Sequence, residues 1–164
     1  MDRTFSRRIA FGVSLGVALG LAIAEPAAAQ GLGPYQFHSL TPCRVADTRN
    51  APGPSGGPIL VDNATRMFPV QGLCGVPVGA KAVTVNLTAV GPNGTGFLTM
   101  YPSGITRPVV SSLNFNSSEP ALGNGAIVPL ADQGSFPMDL SIFARVPVPS
   151  GTVHIVLDVT GYFL

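Results

Sequence analysis

The sequence predicts an all-β fold, a single β-sandwich or jelly-roll-like domain of about nine short strands. Three observations predict it. Past residue 30 no stretch sustains the i, i+3, i+4 apolar spacing of a helix, whereas strict alternation recurs. Turn-forming residues punctuate the chain at intervals of about ten residues, as sandwiches require. The 20 Gly and 16 Pro supply that punctuation, and all but Gly12, Gly16, Gly20 and Pro26 lie beyond residue 29.

Two strands are clear from alternation alone. In Ala82–Val90, Val83, Val85, Leu87 and Ala89 share one face while Thr84, Asn86 and Thr88 share the other. In Val153–Thr160, Val153, Ile155, Leu157 and Val159 point one way, and His154, Val156, Asp158 and Thr160 the other. Seven weaker candidates are 35–40, 44–48, 65–70, 96–101, 109–115, 126–130 and 138–145. Pro92-Asn93-Gly94 and Gly123-Asn124-Gly125 read as turns between them. Residues 50–58, rich in Pro and Gly, read as a surface loop, and no internal repeat is present.

The N-terminus carries Arg3, Arg7 and Arg8, then an uncharged apolar run from Ile9 to Ala24, then Ala27-Ala28-Ala29. This is the pattern of a secretory signal peptide over residues 1–29, cleaved after Ala29. The 16-residue apolar run is short of the ~20 residues a spanning helix needs, so no membrane association is expected after cleavage. Ser6-Arg7-Arg8 is followed by residues that fit a twin-arginine signal poorly. Residues 30–38 read as a lead-in and 39–164 as the domain. The expected location is secreted or at the cell surface.

Removing 29 of the 164 residues leaves 135, enough for one core. Arg44, Arg49, Arg66, Lys81, Arg107 and Arg145 balance Asp47, Asp62, Glu119, Asp132, Asp139 and Asp158, so this part has no net charge with His neutral. Nucleic acid is therefore not an expected partner, because phosphate binding needs a cationic excess. Cys43 and Cys74 both fall in the exported part, where an oxidising compartment lets them pair as a disulfide. Two buried thiols are the alternative. Neither cysteine has a further ligand at metal spacing.

No catalytic set assembles, and the sequence reads as non-enzymatic, without cofactor or metal. Gly53-Pro54-Ser55-Gly56-Gly57 matches a nucleophile-elbow pattern formally, but lacks the strand before it and the helix after it. His38 and His154 are the only histidines. His154 and Asp158 share a strand face but stand ~13 Å apart by strand rise, too far for one ion. The carboxylates are scattered singly, so no glycosidase pair can be nominated. Asp47 and Arg49 fall on one strand face and read as a structural ion pair. With no Trp, sugar stacking would fall to Tyr101 and Tyr162, the candidate ligand-facing residues.

Five motifs occur in order: Pro42-Cys43-Arg44-Val45-Ala46-Asp47-Thr48-Arg49; Gly75-Val76-Pro77 leading into Ala80–Thr88; Gly96–Gly104; Ser112-Leu113-Asn114-Phe115; and Leu157–Phe163. The set resembles a β-rich module of many secreted bacterial proteins, particularly actinobacterial ones, where it stands in tandem or beside cell-wall hydrolases. The resemblance spans roughly residues 39–163. It implies an accessory role at the surface or wall and brings no catalytic residue. The chain departs from that pattern in Cys43 and Cys74 and in carrying no hydrolase domain.

Two functional expectations follow. The first is a non-catalytic structural or interaction protein, associating with itself or with other surface proteins through strand edges or its N-terminal segment. The second is a module binding wall glycan or polysaccharide.

Overall fold

A computed structural model describes residues 33–164, so the signal peptide expected over residues 1–29 lies outside the described residues. Among the described residues nine strands form: β1 (Phe37–Asp47), β2 (Leu60–Val61), β3 (Ala64–Phe68), β4 (Ala82–Val90), β5 (Gly96–Pro102), β6 (Leu113–Phe115), β7 (Ala121–Pro129), β8 (Leu140–Arg145) and β9 (Thr152–Phe163). They build two antiparallel sheets, ordered β1-β9-β4-β7 and β3-β8-β5-β6, with β2 pairing the start of β9. The chain is an all-β sandwich, as its alternation predicts.

The core lies where the inner faces meet. Val83, Val85, Leu87 and Ala89 of β4 and Val153, Ile155, Leu157 and Val159 of β9 face Phe68, Leu98, Leu140 and Ile142 of the second sheet. Each large buried aliphatic contributes ~1.5–3 kcal/mol relative to exposure. The outer face of β5 and β8 in the second sheet is covered as well. Arg107 stands 4.1 Å above the Phe143 ring, and Thr99 Oγ1 donates to the Val110 carbonyl at 2.6 Å, so the segment after β5 lies across that face.

Several boundaries differ from expectation for local reasons. The candidates 35–40 and 44–48 are one strand, β1, interrupted by register shifts between Ser39 and Cys43 and between Arg44 and Ala46. Pro42, which has no amide to donate, sits in the first irregularity. Phe37 and His38 already pair with Phe163 and Tyr162, and Gln36 and Leu164 exchange backbone bonds of 2.9 and 3.1 Å. The sheet thus takes in the last residues of the expected lead-in. The strand expected at 109–115 shrinks to β6, because residues 109–112 belong to the covering segment. Gly123-Asn124-Gly125 is the middle of β7 and not a turn. A Cβ at Gly123 would come within 3.2 Å of both Asn86 Oδ1 and Thr88 Oγ1, so a glycine fits beside the polar side chains of β4.

Candidate functional site: the free edge of β7

Two sheets of this order have four outer edges, and an edge strand offers unpaired amides and carbonyls to any other extended chain. Three of the four are obstructed. At β1 the two irregularities, Pro42 and the Cys43–Cys74 disulfide, with Cα atoms 5.7 Å apart, break up the ladder. The Asp47 amide is also taken by the Ser55 carbonyl at 2.8 Å. β3 is five residues long and carries Arg66 at its centre. The Arg66 guanidinium donates to the carbonyls of Gly56 at 3.0 Å and Gly57 at 3.2 Å, drawing the 53–58 loop against that edge. β6 has only three residues.

The fourth edge, β7, has no bulge, disulfide or charge, and its one proline, Pro129, stands at its last residue. It pairs with β4 through nine consecutive residues, Ala82↔Pro129 to Val90↔Ala121, without a bulge. It carries no charged side chain. The bonds just beyond its ends set its phase: Gly91 N–H donates to the Pro120 carbonyl at 2.9 Å, and Leu130 N–H to the Lys81 carbonyl at 2.9 Å. Antiparallel alternation then turns the backbone groups of Leu122, Asn124, Ala126 and Val128 toward β4, and those of Ala121, Gly123, Gly125 and Ile127 outward. Among the described residues, no backbone partner meets these outward groups. Pro129 falls on the outward phase, where its missing amide costs the β4 ladder nothing.

The strand also exposes an apolar side chain, Ile127, at 64%. The segment before β6 is tied to the strand where Asn124 Nδ2 donates to the Ser112 carbonyl at 2.7 Å.

The residues singled out from sequence lie elsewhere. Cys43 and Cys74 form a disulfide. Asp47 is buried and accepts from Arg49 Nε at 2.8 Å and Nη2 at 2.6 Å. These bonds outweigh the cost of burial and hold its carboxyl down at about 2. Arg44 reaches Asp47 at 3.4 Å and bonds Asp158 at 2.8 Å, so four charges run across the outer face of the first sheet. His154 Nδ1 meets Thr48 Oγ1 at 3.1 Å, and that hydroxyl also accepts from the Ile155 amide at 2.9 Å. The arrangement ties β1 to β9. Ser55 lies in the loop gathered by Arg66, and a Cβ at Gly56 would fall 2.1 Å from the Ala51 carbonyl, so that glycine serves close packing.

Neither of these two tyrosines stands fully exposed. Tyr101, 7% exposed, lies on the covered outer face of the second sheet with its hydroxyl 3.3 Å from Thr65 Oγ1. It is therefore not ligand-facing, contrary to the sequence expectation, because the segment after β5 lies across that face. Tyr162 is half-buried and stacked on His38, with ring centroids 4.9 Å apart. An exposed aromatic that sequence reasoning passed over is Phe37. It is 53% exposed, packs over Gly161 and sits 5.3 Å from Phe163. The pairing of an aromatic before the first motif with Gly161 in the last was the available signal.

A shallow depression of about 370 Å³ is lined by Val61, Asp62, Val148, Ser150, Gly151 and Thr152. Its one carboxylate, Asp62, is already held by Arg145 and by the Val146 amide. Among the described residues, no three of His, Cys, Asp and Glu gather as metal ligands would.

The chain matches no protein-family model and no curated protein. Its functional reading therefore rests on the geometry just described.

Proposed function

We propose that the chain is a non-catalytic secreted protein of the cell surface, structural or interaction-mediating, which takes up an extended partner strand along the outer edge of β7. Secretion rests on the signal-peptide pattern of residues 1–29, and one observation carries the strand uptake. Three edges of the sandwich are obstructed by a bulge, a proline, a disulfide, an arginine or sheer shortness, and the longest regular edge is left open and uncharged. Natural sheets protect their edges, so an edge left open from Ala121 to Ile127 marks a place where pairing is wanted. Main-chain bonds from such an edge give affinity, and the exposed Ile127 adds apolar burial.

The test is chemical cross-linking of the chain on its producing cells. Ile127→Lys places a charge on the β7 edge, and Met67→Lys does the same on the β3 edge. The expected result is loss of the parent's cross-linked adducts in Ile127→Lys, with those of Met67→Lys kept. Equal adducts in Ile127→Lys and the parent overturn the reading.

A second reading, a module binding wall glycan or polysaccharide, is favoured by the Phe37–Phe163 pair. Its exposed ring over Gly161 offers a stacking platform that the buried Tyr101 does not. Retention on insoluble peptidoglycan, lost in Phe37→Ala, supports it. No retention on peptidoglycan or common polysaccharides removes it.

A further inference from the structure

We propose that the strand received at β7 is the β7 of a second copy of this chain, joined antiparallel about a two-fold axis at Asn124; this rests on the strand-addition reading above. The sequence of the edge is complementary to itself in that register. Pairing around Asn124 sets Ala121 opposite Ile127 of the other copy and Gly123 opposite Gly125. All four residues present outward amides and carbonyls. Every outward donor and acceptor from Ala121 to Ile127 then finds a partner, giving about eight backbone hydrogen bonds at two per facing pair. A shift by one residue sets outward groups opposite inward ones and loses all of them.

Side chains agree with the same register. The largest outer-face residue of the strand, Ile127, exposed in the single chain, comes to lie beside the smallest that carries a Cβ, Ala121. Gly123 and Gly125 let the two backbones approach without side-chain obstruction between them. Charge also permits the match. Self-pairing about a two-fold axis sets each residue beside its own kind or a near neighbour, so a charged edge would repel itself. This edge carries no charge.

The N-terminal segment is a poorer donor. Gln30–Gln36 contains Gly31, Gly33 and Pro34, and Pro34 has no amide to give. The same two-fold pairing joins the β1-β9-β4-β7 sheets of two copies into one continuous sheet, with the obstructed β1 edges at its far ends. The assembly closes as a dimer and leaves no new open edge on that sheet.

The experiment places a photo-crosslinking residue at Ile127 in the chain expressed by its own cells. An adduct of twice the chain's mass is the expected result. Adducts to other chains alone overturn the second-copy proposal and leave the strand-addition reading standing. No adduct at all overturns both. Register is read separately from single cysteines. Asn124→Cys sits on the two-fold axis at a close-approaching pair, within reach of a disulfide to its own copy, whereas Ala126→Cys is held apart from its counterpart by about four residues of strand rise. A disulfide-linked dimer of Asn124→Cys but not of Ala126→Cys is expected. The reverse, or linkage of neither, contradicts this register.

Discussion

Asp47 accepts both Nε and Nη2 of Arg49 two residues away, at 2.8 and 2.6 Å, while the Arg49 amide bonds the same carboxylate at 3.1 Å. The bend after β1 is thus closed by one buried carboxylate, which Arg44 links to Asp158 on β9.

Acid should weaken this closure. The carboxyl is held at about 2, below its ordinary value of 3.8, by the Arg49 bonds first of all. A lowered value stabilises the folded chain fully above the ordinary carboxylate range, and that stabilisation is lost as pH falls from about 4 toward 2. Asp47→Asn should cost about 1–2 kcal/mol at neutral pH and flatten the acid limb of the unfolding curve. Thermal unfolding from pH 2 to pH 7 measures both, and an unchanged acid limb refutes the assignment.

Asp139 has the opposite sign. It is buried, and burial raises its carboxyl above the ordinary range. Its oxygens nevertheless take the amides of Val70 at 2.8 Å and Gln71 at 2.9 Å, fixing the chain where it leaves β3. Its ionisation costs stability as pH rises through the carboxylate range, yet the side chain is needed as an acceptor. Asp139→Ala leaves two amides without a partner and should destabilise by about 2–5 kcal/mol, measured by urea unfolding. A loss below 1 kcal/mol would contradict this role.

The Cys43–Cys74 disulfide closes a separation of 31 residues and should stabilise by about 3–4 kcal/mol in the chain-entropy model. The paired Cys43→Ser and Cys74→Ser substitutions should lower the unfolding midpoint accordingly. They should also raise amide exchange in β1, the edge that the bridge guards. Unaltered β1 exchange would show the bridge to be irrelevant to that edge.

What could be read from the sequence and what could not differ for a physical reason. β4 and β9 are central strands with one face buried, so burial imprints a period of two on Val83–Ala89 and Val153–Val159. β7 has no such imprint. It is an edge strand, its outer residues are exposed, and Gly123-Asn124-Gly125 has the composition of a turn. The glycines answer to Asn86 and Thr88 on the neighbouring strand, a contact that no local window contains. The fate of Tyr101 is equally nonlocal, since Thr65 from another strand meets its hydroxyl and the segment after β5 covers its sheet face. The candidate site is defined by which strand has no neighbour. Strand order decides that, and periodicity carries no information about it.

Hydrogen exchange of the β7 amides tests the account most directly. In dilute protein the amides of Ala121, Gly123, Gly125 and Ile127 should exchange far faster than those of Leu122, Asn124, Ala126 and Val128, which are bonded to β4. On concentration, the first set should slow toward the second as the partner strand is taken up. Protection of the first set already in the dilute protein, or rapid exchange that persists at high concentration, would contradict the account.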